Sequence, residues 1–341
     1  MLPHQITSRA SRAATSLTTS QSDAPYKAFA SLGQPHHYGA GISFSVIGVM
    51  DGQADQTPWQ RLGNKFTLGL RTRAEADWLP YGDAFGDSVR RADQLAEKAF
   101  LFETRRDEVF ATLDGSADGC AEVLEMVTGH IASHHDNTPV LPPASHHPLE
   151  TAARLVPEDL LLLAPRPRNN DDGLLDWVLV AAALAFPAHW VLAEKMGRPL
   201  AGIHDPVPHY GERLEAPMDR FFTNMKIGPI SHRWNWSVMT SNRLFTPHRM
   251  RRAPLPPGAG IDEIFIRMES QTLRKLPDSG MVLFTIRTYA EPLSRWAAMP
   301  GAVSSLLDML DGMTPQMRAY KGFALYEDAL RSFVAAGQPA A

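Results

Sequence analysis

The polar residues most suited to chemistry lie in segments whose apolar residues alternate, as they do in β-strands. In residues 261–273, Arg267, Glu269 and Gln271 share one face of a predicted strand, because side chains alternate across a sheet. Arg233 lies in a second such segment and Tyr289 in a third. Burying this polar row without partners is costly, so we expect a solvent-facing side, an ion-pair ladder or the polar wall of a pocket.

His204 is a second candidate for chemistry. It lies in Ile203-His204-Asp205-Pro206-Val207-Pro208, a predicted turn between two helices that the prolines stiffen. A rigid turn can hold an imidazole as an axial metal ligand requires, and the alternative is a capped loop histidine. Three adjacent histidine pairs lie in predicted loops without a fixed second partner, which indicates solvated side chains: His36-His37, His134-His135 and His146-His147.

Composition and missing motifs exclude several classes of function. The 341 residues carry a net charge of −4, so no basic excess indicates binding to nucleic acid or anionic lipid. The one cysteine, Cys120, excludes an internal disulfide and a multi-cysteine zinc or iron–sulfur site. The chain has no GxxxxGK[ST] loop, GxGxxG fingerprint, HExxH or GxSxG, and therefore no evident phosphate cradle, zinc-protease site or hydrolase nucleophile.

Neither a membrane span nor a secretion signal is predicted. The longest apolar run, residues 174–187, is interrupted by Asp176 and is shorter than a membrane span. The first 35 residues lack the apolar segment of a signal peptide. Residues 1–22 contain Arg9, Arg12 and no acid, which resembles a transit peptide, but we interpret them as a disordered tail. Together with the single cysteine, these features favour a cytoplasmic protein.

The first half of the chain is predicted to be mostly helical. One short strand is predicted at residues 42–49, and apolar residues at a 3.6-residue period predict helices at Ser88–Phe102 and Cys120–Ala132. Cys120 lies in the apolar stripe of the second helix, so we expect a buried packing residue. The proline-rich segment 134–148 is predicted to be a linker.

The second half has the pattern of an antiparallel sheet with inserted helices. Strands are predicted at Asp159–Ala164, Ile230–Met239 and Ile261–Glu269, and a hairpin at 271–289 turns at Pro277–Gly280. Residues 174–186 favour a strand but leave a helix open. Helices are predicted at 187–196, at 214–225 and in three C-terminal stretches, 292–299, 303–310 and 315–320. Consecutive strands joined by short turns pair antiparallel, which predicts an α+β fold.

Several of these segments together resemble a known family. The resemblance covers roughly residues 60–325 and is most specific around Glu269–Pro277. Its motifs are Phe66-Thr67-Leu68-Gly69-Leu70, Trp78, Pro157-Glu158-Asp159-Leu160, Phe186-Pro187-Ala188-His189-Trp190, Glu194-Lys195-Met196-Gly197, Ile203-His204-Asp205-Pro206, Arg233-Trp234-Asn235-Trp236, Arg267-Met268-Glu269-Ser270-Gln271 and Tyr320-Lys321-Gly322. In this order they resemble the haem-dependent oxidative N-demethylase family, whose haem-binding subunit carries a PAS-like domain.

The resemblance implies an oxidoreductase with haem b in a PAS-like pocket. Such an enzyme uses O₂ and delivered electrons to oxidise the methyl group of a small, dimethylamine-like secondary amine to formaldehyde, leaving a primary amine. It also implies a separate flavin and iron–sulfur reductase subunit and a folate-binding partner. The alternative functions are a non-catalytic PAS-like haem or small-ligand sensor and a structural subunit.

The resemblance also suggests roles for individual residues. His204 is the expected iron ligand, with His189 and His232 as alternatives. Glu269 is the expected partner of the ammonium group, and Trp236 and Tyr289 offer aromatic faces. Donors to the bound oxygen and to the haem propionates are expected from three side chains whose roles stay undivided: Arg233, Arg267 and Gln271. We expect Arg233, Glu269 and Tyr289 to converge on one face of the sheet.

These patterns divide the chain into four predicted parts. Residues 1–60 form an N-terminal extension that is partly disordered, and residues 61–150 form a helical region with the proline-rich linker. Residues 151–325 form the PAS-like haem-binding domain, and residues 326–341 form a C-terminal tail.

Overall fold

A sheet of seven antiparallel strands runs through the part of the chain that the computed structural model describes, namely residues 56–63, 68–80, 88–135, 146–168, 175–248 and 253–337. The strands are β1 (Arg71–Arg73), β2 (Phe110–Thr112), β3 (Asp159–Pro167), β4 (Leu175–Ala183), β5 (Ile230–Met239), β6 (Phe265–Lys275) and β7 (Val282–Pro292). Their order across the sheet is β1-β5-β6-β7-β3-β4-β2.

Helices precede, interrupt and follow the strands in the described residues. They are α1 (Pro58–Leu62), α2 (Ser88–Thr104), α3 (Arg106–Val109), α4 (Ala117–His134), α5 (Pro148–Leu155), α6 (Leu192–Lys195), α7 (Leu200–His204), α8 (Tyr210–Arg213), α9 (Glu215–Thr223), α10 (Ala302–Asp311), α11 (Pro315–Lys321) and α12 (Glu327–Ala335). Four of them, α6 to α9, are inserted between β4 and β5. The α+β class predicted from the sequence is therefore confirmed.

The long periodic segments were predicted correctly. Helices α2 and α4 cover the two predicted early helices, and α9 covers most of the helix predicted at 214–225. The side chain of Cys120 is 0% exposed, which confirms its packing role. Strand β5 has the predicted bounds, and the apolar segment that left a helix open forms β4. The strand predicted at 42–49 lies outside the described residues.

The late strands differ from the prediction in one respect. The sequence suggested separate strands at Ile261–Glu269 and 271–276, but β6 is one continuous strand of 11 residues. Residues Ile261–Glu263 instead form a 3-10 turn. The predicted turn at Pro277–Gly280 is confirmed, because Leu276 N donates to Met281 O at 2.8 Å and joins the two strands there.

The helix predicted to begin at Pro187 was wrong. Residues 187–191 run alongside a distant segment, where His189 N donates to Thr246 O at 2.7 Å and Thr246 N to Pro187 O at 3.1 Å. His189 has a φ of 62°, which a right-handed helix excludes. A helix forms only at α6. His204 also differs from its prediction, because it ends α7 instead of lying in a turn.

Several short elements were not predicted, among them two strands and a C-terminal helix. Strands β1 and β2 come from the region assigned to helices and linker, and they form the two edges of the sheet. Helix α12 lies in the predicted C-terminal tail and buries Leu330, whose side chain is 0% exposed. Within the described residues, no helix has both the length and the apolar composition to cross a membrane.

The sheet has two differently covered faces. Face A carries Arg233 and Glu269, and its apolar residues pack against α6, α7 and α9 through Leu192, Leu200 and Phe222. Face B packs against two sets of helices. Near β3 and β4 it contacts α2, α4 and α5, and near β5 and β6 it contacts the C-terminal helices. The inserted helices therefore cover the apolar part of face A.

Candidate functional site

Glu269 is the centre of a hydrogen-bonded group on face A. Its Oε1 accepts from Arg267 Nε at 3.0 Å. Its Oε2 accepts from Gln271 Nε2 at 2.9 Å and from Asn235 Nδ2 at 3.2 Å. The residue is 8% exposed, so the carboxylate is held in one orientation inside the protein.

Arg267 fixes this carboxylate to the surrounding loops. It is 1% exposed, and its Nη1 donates to Leu244 O at 3.0 Å. Its Nη2 donates to Phe186 O and to Thr288 Oγ1. Most of its donors are therefore used by protein groups, which suits a residue that positions Glu269.

Arg233 lies beside Glu269 but lacks such partners. It is paired with Gln271 across β5 and β6, on the same face as Glu269. Its Nε is buried and makes no hydrogen bond in the described part of the chain. Burial lowers the pKa of the Arg233 guanidinium, and the charge of Glu269 opposes that shift. Arg233 is therefore a cation with donors to offer to a bound group.

His204 lies at the end of α7, where the charge of Arg233 acts on it. Its Nδ1 is 2.8 Å from Leu200 O, so this nitrogen carries the proton in the neutral ring. The ring stacks on Tyr210 with centroids 4.6 Å apart and planes 6° apart. Burial lowers the pKa of His204, the bond to Leu200 opposes this shift, and Arg233 and Lys195 add to it. The imidazole is therefore neutral near pH 7, with its Nε2 lone pair available.

Two predicted site residues lie on the other side of the sheet. Tyr289 is paired with Met268, and Trp236 is paired with the same residue from β5. Both side chains therefore project from face B, whereas Glu269 projects from face A. The expected convergence of Arg233, Glu269 and Tyr289 was wrong, because only Arg233 and Glu269 share a face.

The two alternative histidines also differ from His204 in position. His232 lies on face B, where its Nε2 is 2.9 Å from Ser270 Oγ. His189 lies in the loop whose backbone is bonded to Thr246. Of the three, only His204 is on an inserted helix within reach of the charge of Arg233.

Three residues near this site had no role in the prediction. Asn235 was quoted as part of the motif Arg233-Trp234-Asn235-Trp236 without a role of its own, but its Nδ2 donates to the Glu269 carboxylate. Tyr210 follows the proline-rich motif of His204 and stacks on it. Lys321 places its Nζ 5.2 Å from the Trp236 ring centre; burial lowers its pKa and the charge of Glu269 opposes this. The motif Tyr320-Lys321-Gly322 was the available signal for Lys321.

The donor set fits a haem, because a haem iron can be held by one protein ligand. Among the described residues, no group of three or more His, Cys, Asp or Glu side chains is arranged to hold a metal ion. A haem iron needs only one protein ligand, and His204 offers a neutral nitrogen whose other ring nitrogen is fixed by a carbonyl. The unpaired Arg233 is suited to a propionate or to an oxygen donor role.

Comparison with protein families agrees with this donor set. The family model described as haem-dependent oxidative N-demethylase, alpha subunit-like, matches residues 90–331. The match includes the strands β2 to β7 and all the residues assigned above to the site. The chain therefore belongs to the haem-dependent oxidative N-demethylase alpha subunit-like family.

Proposed function

We propose that this chain is a haem-binding subunit that oxidatively removes a methyl group from a small secondary amine of the dimethylamine type. The methyl carbon leaves as formaldehyde and the nitrogen remains as a primary amine. The family supports haem dependence and membership of a multi-subunit enzyme, and the geometry on face A supports the roles of individual residues. We place the reaction in the cytoplasm, because a lone buried cysteine suits a reducing compartment.

The observation that carries this proposal is the state of His204. An iron ligand must present an unprotonated nitrogen, and the bond from Nδ1 to Leu200 O leaves Nε2 in that form. Helix α7 and the stacked Tyr210 ring fix the direction in which Nε2 points. When bound, haem b would supply the activation of O₂ and the redox chemistry.

Glu269 is proposed to bind the protonated amine. A dialkylammonium ion has two N–H donors, and a buried carboxylate is a strong acceptor for them. Arg267, Gln271 and Asn235 prevent the carboxylate from rotating, so that the amine is held in one place relative to His204. Positioning of this kind is a large part of what an oxidising site needs from the protein.

Arg233 is proposed to hold a negative group beside the amine. Its buried Nε has no hydrogen-bond partner among the described residues, and haem b carries two propionates. It also adds positive charge next to His204, which keeps the imidazole unprotonated. We assign Trp236 and Tyr289 no direct contact with the amine, because both lie on face B.

Separate subunits complete the proposed enzyme. The chain has no nucleotide-binding loop and only one cysteine, so the electrons would come from a flavin and iron–sulfur reductase subunit. A folate-binding subunit would capture the formaldehyde. We further propose that the sheet with helices α6 to α9 inserted between β4 and β5 is PAS-like.

Haem titration of the purified chain tests the central claim. Added haem should produce a Soret band, and His204→Ala should lose it or weaken haem retention by about tenfold or more. His209→Asn is a matched control, because His209 is exposed, five residues away, and its side chain bonds only to Glu212 among the described residues. Asn also tolerates its φ of 63°. An unchanged spectrum in His204→Ala would remove His204 as the ligand.

Turnover distinguishes an enzyme from a sensor. The haem-loaded chain, given dimethylamine, O₂ and a chemical reductant, should release formaldehyde. Haem binding without formaldehyde would favour the sensor alternative.

A further inference from the structure

A cluster of buried charges lies apart from the proposed amine site, where α2 crosses β7 and the start of β3. It consists of Lys98, Glu158, Asp159 and Arg287, each no more than 2% exposed. Charged side chains are rarely buried to this extent unless they are paired. The surroundings of each therefore show what the cluster can bind.

Half of this cluster is satisfied by the protein backbone. Lys98 Nζ donates to Val156 O at 2.9 Å and to Glu158 O at 2.6 Å. The Asp159 carboxylate accepts from the amides of Ala185 and Phe186, at 2.8 and 3.0 Å. The burial of Lys98 and Asp159 is therefore explained by bonds that the chain itself provides.

The other half has no such bonds. All three guanidinium nitrogens of Arg287 and both carboxylate oxygens of Glu158 are buried without a hydrogen-bond partner in the described residues. No ion pair joins the two side chains, although both act on the charge of Lys98. Leaving a buried charge without compensation costs several kcal/mol. The place where these two side chains face each other, called the gap below, therefore lacks a partner, because the described side chains do not supply one.

The register brings the two unpaired charges to the same place. Asp159 is opposite Ile286, so Glu158 and Arg287 occupy facing positions where β3 and β7 meet. Gln94 lies over them from α2, with its Nε2 bonded to Thr288 O at 2.8 Å and its Oε1 buried without a partner. The gap thus brings together the unpaired donors of one guanidinium and three unpaired acceptor oxygens.

We propose that this gap binds a small zwitterion that carries both a carboxylate and an ammonium group, such as an α-amino acid. The planar fork of Arg287 matches a carboxylate in a bidentate manner, and Glu158 with Gln94 Oε1 matches the ammonium. A simple anion would face the Glu158 carboxylate, and a simple amine would face Arg287. The Tyr289 ring, 5.6 Å from Arg287 Cζ, forms a wall of this site.

This amino-acid site is distinct from the proposed amine site. Arg287 is paired with Ser270 and projects from face B, whereas Glu269 projects from face A. The sheet itself lies between them. Binding to Arg287 and Glu158 therefore does not depend on haem or on the identity of the oxidised amine.

Calorimetry on the full chain tests the proposal with probes that carry one group or both. Glycine, N-methylglycine and alanine carry both groups, whereas acetate and methylammonium carry one each. At least one of the first three should bind and raise the unfolding temperature, and should bind about tenfold or more tightly than acetate and methylammonium. The proposal is overturned if none of the amino acids binds, or if acetate binds equally well.

Two variants test whether the measured amino-acid binding occurs at this gap. Arg287→Met should weaken amino-acid binding by about tenfold or more, and Glu158→Gln should remove the preference over acetate. Both variants should fold, because the first removes an unpaired buried cation and the second is nearly isosteric. Arg166→Met, at an exposed position of β3, should leave binding unchanged, as should Glu269→Gln. Amino-acid binding that survives Arg287→Met would overturn the proposal, as would a structure with only water in the gap.

Discussion

At the scale of single residues, the site is defined by which charges have partners. Glu269 has three donors around it, and Arg267 has four acceptors. The Nε of Arg233 has no acceptor among the described residues, although Arg233 lies on the same face, opposite Gln271. The first two residues are bonded to the protein itself, and the third is the one that we propose for a bound group.

Glu269→Gln tests the role of the carboxylate at constant shape. The change removes the negative charge opposite the ammonium ion but keeps an acceptor oxygen, so haem binding should persist. We expect kcat/KM for the amine to fall about 10- to 100-fold, which corresponds to roughly 1.5–3 kcal/mol for a charged hydrogen bond. Formaldehyde release measures the turnover, and the Soret band reports the haem.

Glu263→Gln is the control for this experiment, because Glu263 is exposed on the 3-10 turn before β6. It should leave both the spectrum and the turnover unchanged. Normal amine turnover in Glu269→Gln would mean that the amine binds elsewhere.

Some of these placements were predictable from the sequence and some were not. Alternation alone assigned Arg267, Glu269 and Gln271 to one face, as the structure has them. The position of Tyr289 could also have been predicted, because a turn at Pro277–Gly280 sets Leu276 opposite Met281. Counting back from that pair places Tyr289 opposite Met268, on the other face. The position of His204 near the charge of Arg233 depends on how α7 packs against the sheet, which no local pattern reports.

At the scale of elements, α4 holds the β6–β7 hairpin in place. The Glu122 carboxylate accepts from the backbone amides of Asp278 and Ser279 in the turn, at 2.9 and 3.0 Å. One turn earlier, Gly119 lets the helix approach the sheet, since a Cβ there would lie 2.6 Å from Met281 Sδ and 2.8 Å from Leu162 Cδ2. The close contact therefore depends on the missing side chain.

Gly119→Ala should consequently destabilise the protein, although alanine favours helices. We expect a loss of about 1–3 kcal/mol in the free energy of unfolding, because the methyl group overpacks a full core. Gly129→Ala, on the same helix, meets no atom within 4 Å and should raise stability by roughly 0.5–1 kcal/mol. Urea unfolding measures both, and equal effects of the two substitutions would contradict the close contact at Gly119.

The elements that were predicted wrongly are those set by distant partners. Pro187 has the local character of a helix start, but its carbonyl and the amide of His189 bond to Thr246, 59 and 57 residues away. Strand β1 is only three residues long and is defined by its pairing with β5. In contrast, α2 and α4 carry enough apolar residues at helical spacing to be recognised alone.

At the scale of the whole molecule, the sheet joins the early and late parts of the chain. Asp159 begins β3, which lies next to the central strand β7, and its carboxylate accepts from the amides of Ala185 and Phe186 just after β4. Phe186 O in turn accepts from Arg267 on β6. A buried carboxylate thus connects the middle of the sheet to the loop that supports Glu269, so its ionisation affects global stability.

The pH dependence of unfolding tests this connection. Burial raises the pKa of Asp159 to about 6, and Lys98 and the two amide bonds only partly oppose the shift. The folded state holds the Asp159 proton more tightly than the unfolded chain does. The stability that this proton contributes is therefore complete below the pKa of the unfolded carboxyl, near 4, and is lost as the pH rises through 6. The wild-type protein should therefore lose of order 2–3 kcal/mol between pH 4 and pH 7 relative to Asp159→Asn, which has no such proton. Urea unfolding of both proteins across this range measures the difference. A constant difference would show that Asp159 titrates in the folded state as it does in the unfolded chain.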